Sequence, residues 1–194
     1  MARENKTKYA VLGLLTSASL SGYDIKKIID SSISYFWNEN FGHLYTVLKK
    51  MEQEDLVSRQ VVHSSKRPDR SVFSITDQGR QILSGWLKRE PEDQPTRIEL
   101  LLQLFFSRLM PLPDILDKIQ KEKEKSEERL AVYETIRRHI VENDINNDLE
   151  RIPFWLMTVS FGVHREQATI AWCDETMETL VRLQAARETK ATEQ

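Results

Sequence analysis

One helix followed at once by a basic-tipped hairpin constrains this chain more than any other feature. From about Phe41 to Glu54, Leu44, Val47, Leu48 and Met51 recur at i, i+3, i+4 and i+7, the apolar stripe of an amphipathic helix. His43, Thr46, Lys49, Lys50 and Gln53 fall on the opposite side. Leu56–His63 and Ser71–Thr76 are strand-like, with β-branched and aromatic residues. Between them Ser64-Ser65-Lys66-Arg67-Pro68-Asp69-Arg70 places three cations in seven residues around a Pro-Asp turn. Thr76-Asp77 then caps a further helix carrying Ile82, Leu83, Trp86 and Leu87.

This order is the second half of a winged helix-turn-helix, in which the helix enters the major groove of duplex DNA and the hairpin touches the adjacent backbone. Phosphates and base edges are read by long cationic or hydrogen-bonding side chains on one rigid face. His43, Thr46, Lys49 and Lys50 supply that face, and Tyr45 can reach a phosphate or a thymine methyl. Lys66, Arg67 and Arg70 on the tip are candidates for the backbone or minor groove. Two plainer readings stand beside this one. The helix can be a core helix with a solvated lysine face, and a surface turn is commonly polar whatever it does.

The same unit holds two earlier helices. The first is expected over about Lys6 to Ala18, and the second starts at Ser21-Gly22-Tyr23-Asp24 with Ile25, Ile28, Ile29 and Ile33 on one face. Ser21 is a fitting N-cap, and the free N–H groups of this helix start suit a phosphate oxygen. Glu90-Pro91-Glu92-Asp93-Gln94-Pro95 reads as a helix stop and a linker. The expected domains are therefore 1–90, a winged helix-turn-helix of three to four helices and a two-stranded wing, and 91–194, all helical. The fold class is mainly α.

In the second half, Arg97–Leu109 is apolar nearly all round and is expected to be buried between other elements. A helix from Asp114 to about Glu142 contains Gln120–Arg129, ten residues with no apolar side chain, read as a solvated section held by i,i+3 pairs. Asn143–Asn147 is a polar turn. The last helix starts near Pro153 and carries Phe154, Met157, Phe161, His164, Ala168, Ala171 and Glu175 at alternating spacings of three and four, a coiled-coil-like seam.

Net charge is −2, but it is unevenly spread. Residues 1–90 hold 14 Lys/Arg against 10 Asp/Glu, and residues 91–194 hold 14 against 20, so the basic excess lies where phosphate contact requires it. The longest apolar runs are far too short for a bilayer, and the N-terminus shows no export signal, so no membrane contact and a cytoplasmic location are expected. Cys173 is the single cysteine, which excludes an intrachain disulfide and argues against a Cys-based zinc site. No Gly-rich phosphate loop, Ser/His/Asp arrangement or HExxH occurs. His164 and Cys173 lie half a turn out of phase and read as packing residues. No catalytic residue, metal or cofactor is expected, and the chain is not read as an enzyme. Phe105, Phe106, Phe154, Trp155, Phe161 and Trp172 form an aromatic-rich set that reads either as core or dimer seam, or as the lining of an effector pocket.

The sequence resembles the PadR-like family of bacterial transcriptional regulators. The resemblance rests on Tyr9–Leu15, Ser21–Ile25, Leu44–Glu52 and Arg67–Arg80, which keep the family's order and spacing over roughly the first 90 residues, and on Glu99–Phe106 in the tail, where the longer branch has a helical C-terminal domain. Thr46 stands where many members have proline, and Phe73 where many have tyrosine. The resemblance implies a homodimer that binds a pseudo-palindromic operator, usually as a repressor, and is released by small aromatic compounds. It places Tyr45, Lys49 and Lys50 on the groove-facing helix, Arg67 and Arg70 on the wing, and Ser21, Gly22 and Tyr23 at a phosphate-contacting helix start. The rival from another class is a winged-helix protein-interaction module that binds no operator.

Overall fold

The computed structural model describes residues 6–37, 41–62, 69–93, 95–143 and 150–192. The chain divides into two compact units, Met1–Gln94 and Pro95–Gln194. It is mainly helical, with one small antiparallel sheet. Among the described residues, no helix is long and apolar enough to cross a membrane.

The first unit contains α1 (Thr7–Leu15), β1 (Leu20–Ser21), α2 (Gly22–Ser31), α3 (Leu44–Gln53), β2 (Val57–Val62), β3 (Arg70–Ile75) and α4 (Asp77–Leu87), with 3-10 turns at Ile33–Tyr35 and Phe41–His43. Its core is built from the expected stripes: Tyr9, Val11, Leu12 and Leu15 of α1, Ile25 and Ile29 of α2, and Leu44, Leu48 and Met51 of α3 are all buried. The helix expected from Phe41 begins three residues later because its first turn winds as a 3-10 turn. The ring of Tyr9 stacks on Trp86, with centroids 4.5 Å apart, and ties α1 to the end of α4.

The sheet has three strands in the order β1-β3-β2. The wing strands pair from Val57↔Ile75 to Val62↔Arg70, and a third strand, absent from the expected two-stranded wing, pairs Leu20 with Phe73 and Ser21 with Val72. Ser19 and Ser74 share a hydroxyl hydrogen bond of 2.6 Å beside it. Two residues are too few to show an alternating pattern, so β1 has no sequence signature of its own. Its consequence is large, because it anchors the residue that starts α2 directly to the wing.

The passage from α3 into the wing is fixed by a short set of bonds. Asp55 adopts a left-handed backbone (φ 55°), and the Leu56 N–H donates back to the Met51 carbonyl at 2.8 Å, closing the helix. Thr76 Oγ1 donates to the Asp55 carbonyl at 2.6 Å and accepts the Gly79 N–H at 3.0 Å, capping α4. Gly79 sits so close to the turn that a Cβ there would lie 2.2 Å from the Leu56 carbonyl oxygen.

The second unit contains α5 (Glu99–Phe105), a 3-10 turn at Ser107–Leu109, α6 (Leu112–Asn143) and α7 (Ile152–Thr192). Helices α6 and α7 pack antiparallel. Leu112, Ile115 and Ile119 near the start of α6 meet Cys173 and Leu180 of α7, and Tyr133 and Ile140 meet Ile152, Val159 and Val163. Burial pushes the Cys173 thiol above its ordinary range, as an inert packing cysteine requires. Gly162 admits the Tyr133 ring, which would lie 2.4 Å from a Cβ at that position.

Two expectations fail in this unit. Helix α5 is not enclosed: Leu101, Leu102, Phe105, Phe106 and Leu109 are all exposed, and only Leu100 and Leu104 pack inward. The all-polar stretch of α6 is not simply solvated either. Glu122, Ser126 and Arg129 continue the inward stripe of Ile115 and Ile119 at the same spacing, so the helix period carries them between the two apolar clusters. Ser126 is fully buried and Glu166 is 1% exposed. The Arg129 Nε donates to Glu166 Oε2 at 2.9 Å, and its Nη2 reaches Glu122 at 3.1 Å and Ser126 Oγ at 2.8 Å. Arg165 closes the network on Glu166 Oε1 at 2.8 Å, and Lys123 pairs with Asp174 at 2.7 Å alongside. Among the described residues, no buried side-chain polar atom lacks a hydrogen-bond partner.

Burial pushes the Glu166 carboxyl up, but the hydrogen bonds from Arg165 and Arg129 outweigh it and hold the group below the usual carboxylate range. Its stabilising effect is therefore full above the unfolded carboxyl's range and is lost as pH falls through the folded value. In urea unfolding at pH 7, Glu166→Ala should cost about 3 kcal/mol, the lower end for breaking a buried pair, since Arg129 keeps part of its side chain in water. Glu166→Gln should also flatten the acid limb of the stability profile below about pH 4. By the same measurement Gly79→Ala should destabilise by at least about 1–3 kcal/mol, because the atom it meets is backbone and cannot swing aside.

Candidate nucleic-acid interface

Helix α3 turns Leu44, Leu48 and Met51 into the core, and this fixes what faces outward. His43, Tyr45, Thr46, Lys49, Lys50 and Gln53 are all exposed, with Tyr45 65% accessible. Lys50 is held by Glu54 one turn on, at 3.6 Å, and Lys49 has no carboxylate partner among the described residues. The face is therefore polar and cationic on a rigid helix, as sequence-specific contact with a groove requires.

The start of α2 converges on this face. Ser21 forms a capping box: its Oγ accepts the Asp24 N–H, while the Asp24 carboxylate accepts the Ser21 N–H and hydroxyl, the latter at 2.6 Å. The hydroxyl's hydrogen bond, joined by the Ser21 N–H and then by the Arg70 and Lys27 charges, holds Asp24 below the ordinary carboxylate range against the opposing effect of burial. The Ser21 side chain is thus occupied by the cap. What the helix start offers an anion is the N–H groups of its first turn, those of Gly22 and Tyr23. Tyr23 is 70% exposed.

Gly22 has a second use that the sequence pattern does not show. A Cβ built on it would lie 2.7 Å from Tyr45 Cε1, so the absent side chain is what lets the phenol of α3 lie against α2. Gly22 and Tyr45, more than twenty residues apart along the chain, are thus brought together.

On the wing, Arg70 begins β3, pairs with Val62 and is exposed. Lys66 and Arg67 lie outside the described residues. Arg59, exposed on β2 with its Nε donating to Ser71 Oγ at 2.9 Å, is a wing cation that a reading confined to the hairpin tip passes over. Its signal was available: it sits two residues beyond Val57, on a strand whose remaining residues all face solvent.

The aromatic set of the second unit is not gathered into one lining. Phe105 and Phe106 touch each other edge to face at 5.1 Å, and both are exposed. Phe154, Trp155 and Phe161 are exposed on the first half of α7, whereas Trp172 packs beside Cys173 with Leu100 and Leu104. His164 is exposed on the outer face and is not a packing residue within this chain. Among the described residues, no group of three or more His, Cys, Asp or Glu side chains is placed to hold a metal ion.

Comparison with known proteins assigns both units. Residues 11–85 match the model of the transcriptional regulator PadR-like family, and residues 96–189 match the virulence activator alpha C-terminal model. The chain is 28% identical over 125 residues to the negative transcriptional regulator PadR of Bacillus subtilis, covering 64% of this chain and 69% of that protein. It is 26% identical over 184 residues to the probable transcriptional regulator Rv1176c of Mycobacterium tuberculosis, covering 89% and 96%. Its fold superposes on Bacillus subtilis PadR in complex with operator DNA with a TM-score of 0.80 at 22% identity, over 91% of this chain and 99% of that one. The Vibrio cholerae virulence activator AphA gives 0.71 at 25% identity, over 91% and 98%.

Because the Tyr45 ring that Gly22 admits is largely in solvent, Gly22→Ala should move the ring and not the fold. The melting temperature should stay within a few degrees, in line with a ΔΔG under about 1 kcal/mol, while the Tyr45 ring resonances shift. A large loss of stability would mean that Tyr45 is packed and not merely resting on α2.

Proposed function

From the premise that this chain is a transcriptional regulator of the PadR-like family, we propose that it is a homodimeric repressor that binds a pseudo-palindromic operator through α3 and the wing. The observation that carries the proposal is the outward face of α3. His43, Tyr45, Thr46, Lys49 and Lys50 project from a helix whose other face is locked in the core, beside the first-turn N–H groups of α2. In this reading α3 enters the major groove, Gly22 and Tyr23 meet a phosphate, and Arg70 with Lys66 and Arg67 contacts the flanking backbone. The two α3 helices of a dimer then meet successive major grooves about one turn, roughly 10 bp, apart.

A homodimer is supported by what a single chain leaves uncovered. Leu101, Leu102, Phe105, Phe106 and Leu109 are exposed in and after α5, and Phe154, Met157 and Phe161 on α7. Large apolar side chains grouped in this way are rarely left in water by a monomer. Helix α7 carries two stripes of alternating three- and four-residue spacing. Ile152, Leu156, Val159, Val163, Glu166 and Cys173 lie on the stripe that faces α6, and Phe154, Met157, Phe161 and His164 on the one that faces away. The second stripe is the proposed seam with a partner copy.

Release by a small aromatic effector is proposed by analogy with Bacillus subtilis PadR, which has been solved in complex with p-coumaric acid. Such a ligand shifts the equilibrium only if it prefers a non-binding arrangement of the two heads.

Binding should be measured on a labelled fragment taken from just upstream of the protein's own coding region, at two salt concentrations. Affinity should fall steeply with salt, and Lys49→Ala should weaken binding. Arg70→Ala should flatten the salt slope by about one unit, the mark of one lost phosphate contact. Unchanged affinity in Lys49→Ala would remove α3 from the groove. Binding to a protein partner that ignores ionic strength would favour an interaction module. A chain ending at Asp93 should sediment as a monomer where the full chain sediments as a dimer.

A further inference from the structure

A groove runs between α6 and α7 at the end of the pair opposite α5, beside the cluster of Tyr133, Ile140, Ile152 and Val159. It measures about 580 Å3, within the range of small-molecule sites, about 300–1,000 Å3. Glu134, Arg137, Arg138, Val141 and Glu142 line one wall, at spacings of i, i+3, i+4, i+7 and i+8 that put them on one face of α6. Leu156 and Ser160, one turn apart on α7, line the other. Leu156 is half-buried against the cluster, and Val141 is 42% exposed. With the methylene stems of the two arginines they give the groove an aliphatic floor. Among the described residues, no aromatic side chain lines it.

Two polar groups of the groove are uncommitted. Glu134 is taken by Arg137, at 2.7 Å. Arg138 has Glu134 one turn before it and Glu142 one turn after it, yet among the described residues it is paired with neither. The hydroxyls of Thr135, Thr158, Thr169 and Thr179 on the same two helices each donate to a backbone carbonyl of their own helix. Ser160 makes no such bond among the described residues, so its hydroxyl stays available. A guanidinium and a free hydroxyl beside an aliphatic floor suit a carboxylate carried on an acyl chain. The guanidinium can give the head two parallel N–H bonds, and the hydroxyl a third. Glu142 opposes that head as a like charge, weakened by its exposure to water. A flexible chain can follow two aliphatic side chains, whereas a flat ring finds no ring here to stack on.

We propose that this groove binds a single-chain aliphatic carboxylate, its head on Arg138 and Ser160 and its chain along Val141 and Leu156. The site stands whether or not the protein binds an operator, and none of its residues takes part in the contacts proposed above. The bound molecule joins the last turns of α6 to the early turns of α7 and so holds this end of the pair closed.

The test follows the Val141 and Leu156 methyl signals of the 13C-methyl-labelled full-length protein, assigned with Val141→Ile and Leu156→Ile. The probes are octanoate, decanoate and dodecanoate, kept below the concentrations at which they form micelles. Decanol is the uncharged control and benzoate the aromatic one. Decanoate should shift both residues while the methyls of Leu12 and Leu48, in the core of the first unit, stay in place. Decanol should bind more weakly, and benzoate should leave both signals unmoved. Affinity should rise by up to about fourfold for each added methylene, the worth of burying one CH2. Arg138→Gln should weaken decanoate binding about tenfold, the lower end for losing a charge-assisted hydrogen bond, and Ser160→Ala about threefold. Glu142→Gln should tighten it by up to about fivefold, the worth of one charge pair at a surface. All three positions are exposed, so the melting temperature without ligand should stay within a few degrees. A merely apolar crevice would not produce effects of opposite sign at Arg138 and Glu142. The proposal is overturned if no probe moves Val141 or Leu156 at millimolar concentration, if decanol binds as tightly as decanoate, or if Arg138→Gln and Glu142→Gln both leave affinity unchanged. It is equally overturned if the two signals move on dilution of the ligand-free protein and ignore every probe, because a second copy then fills the groove.

Discussion

The Thr76 hydroxyl joins the two parts on which the proposed DNA contact depends. It donates to the carbonyl of Asp55, which turns the chain out of α3, and accepts from Gly79 at the head of α4. Gln78 adds a second bond, from its side-chain amide to the Glu54 carbonyl at 3.1 Å. The last turn of the proposed recognition helix, the root of the wing and the cap of α4 therefore form one knot of backbone. With β1 holding Ser21 to β3, the start of α2 joins the same knot. The face carrying Tyr45, Thr46, Lys49 and Lys50 has little freedom to turn relative to the wing. On the proposed reading, that rigidity would keep two sets of contacts in register on one duplex.

Much of this arrangement was legible in the residues, for an identifiable reason. Leu44, Leu48 and Met51 each bury where their spacing places them, because a ten-residue amphipathic helix over a small core has only one way to face. Ser21 and Thr76 act as N-caps, since the hydroxyl at each helix start answers a local need of the backbone. The contact of Gly22 with Tyr45 was not legible, because nothing local marks it; it exists only once α2 and α3 are packed. The strand at Leu20–Ser21 was hidden for the same reason, being defined by its partner.

The tail shows where composition misleads. Gln120–Arg129 has no apolar side chain, so an average over the segment suggests a solvated helix, whereas Glu122, Ser126 and Arg129 are placed inward by the period that sets Ile115 and Ile119. The apolar run through Leu101, Leu102, Phe105 and Phe106 errs the other way. Its hydrophobicity signals a need for cover without saying which chain provides it. In both cases the intrinsic character of a segment is overruled by what stands opposite.

The ionic layer of α6 and α7 lies between two apolar clusters, and this limits how the tail can move. Sliding one helix past the other by a turn would carry Glu166 off Arg129 and leave a buried carboxylate without that cation. The pair thus behaves like two rods pinned at the middle: it can splay or bend about the pin, but it cannot ratchet lengthwise. Any signal that crosses this helical pair must travel as a change of angle, and the ends of α6 and α7 will move farthest for the least disruption of their contacts.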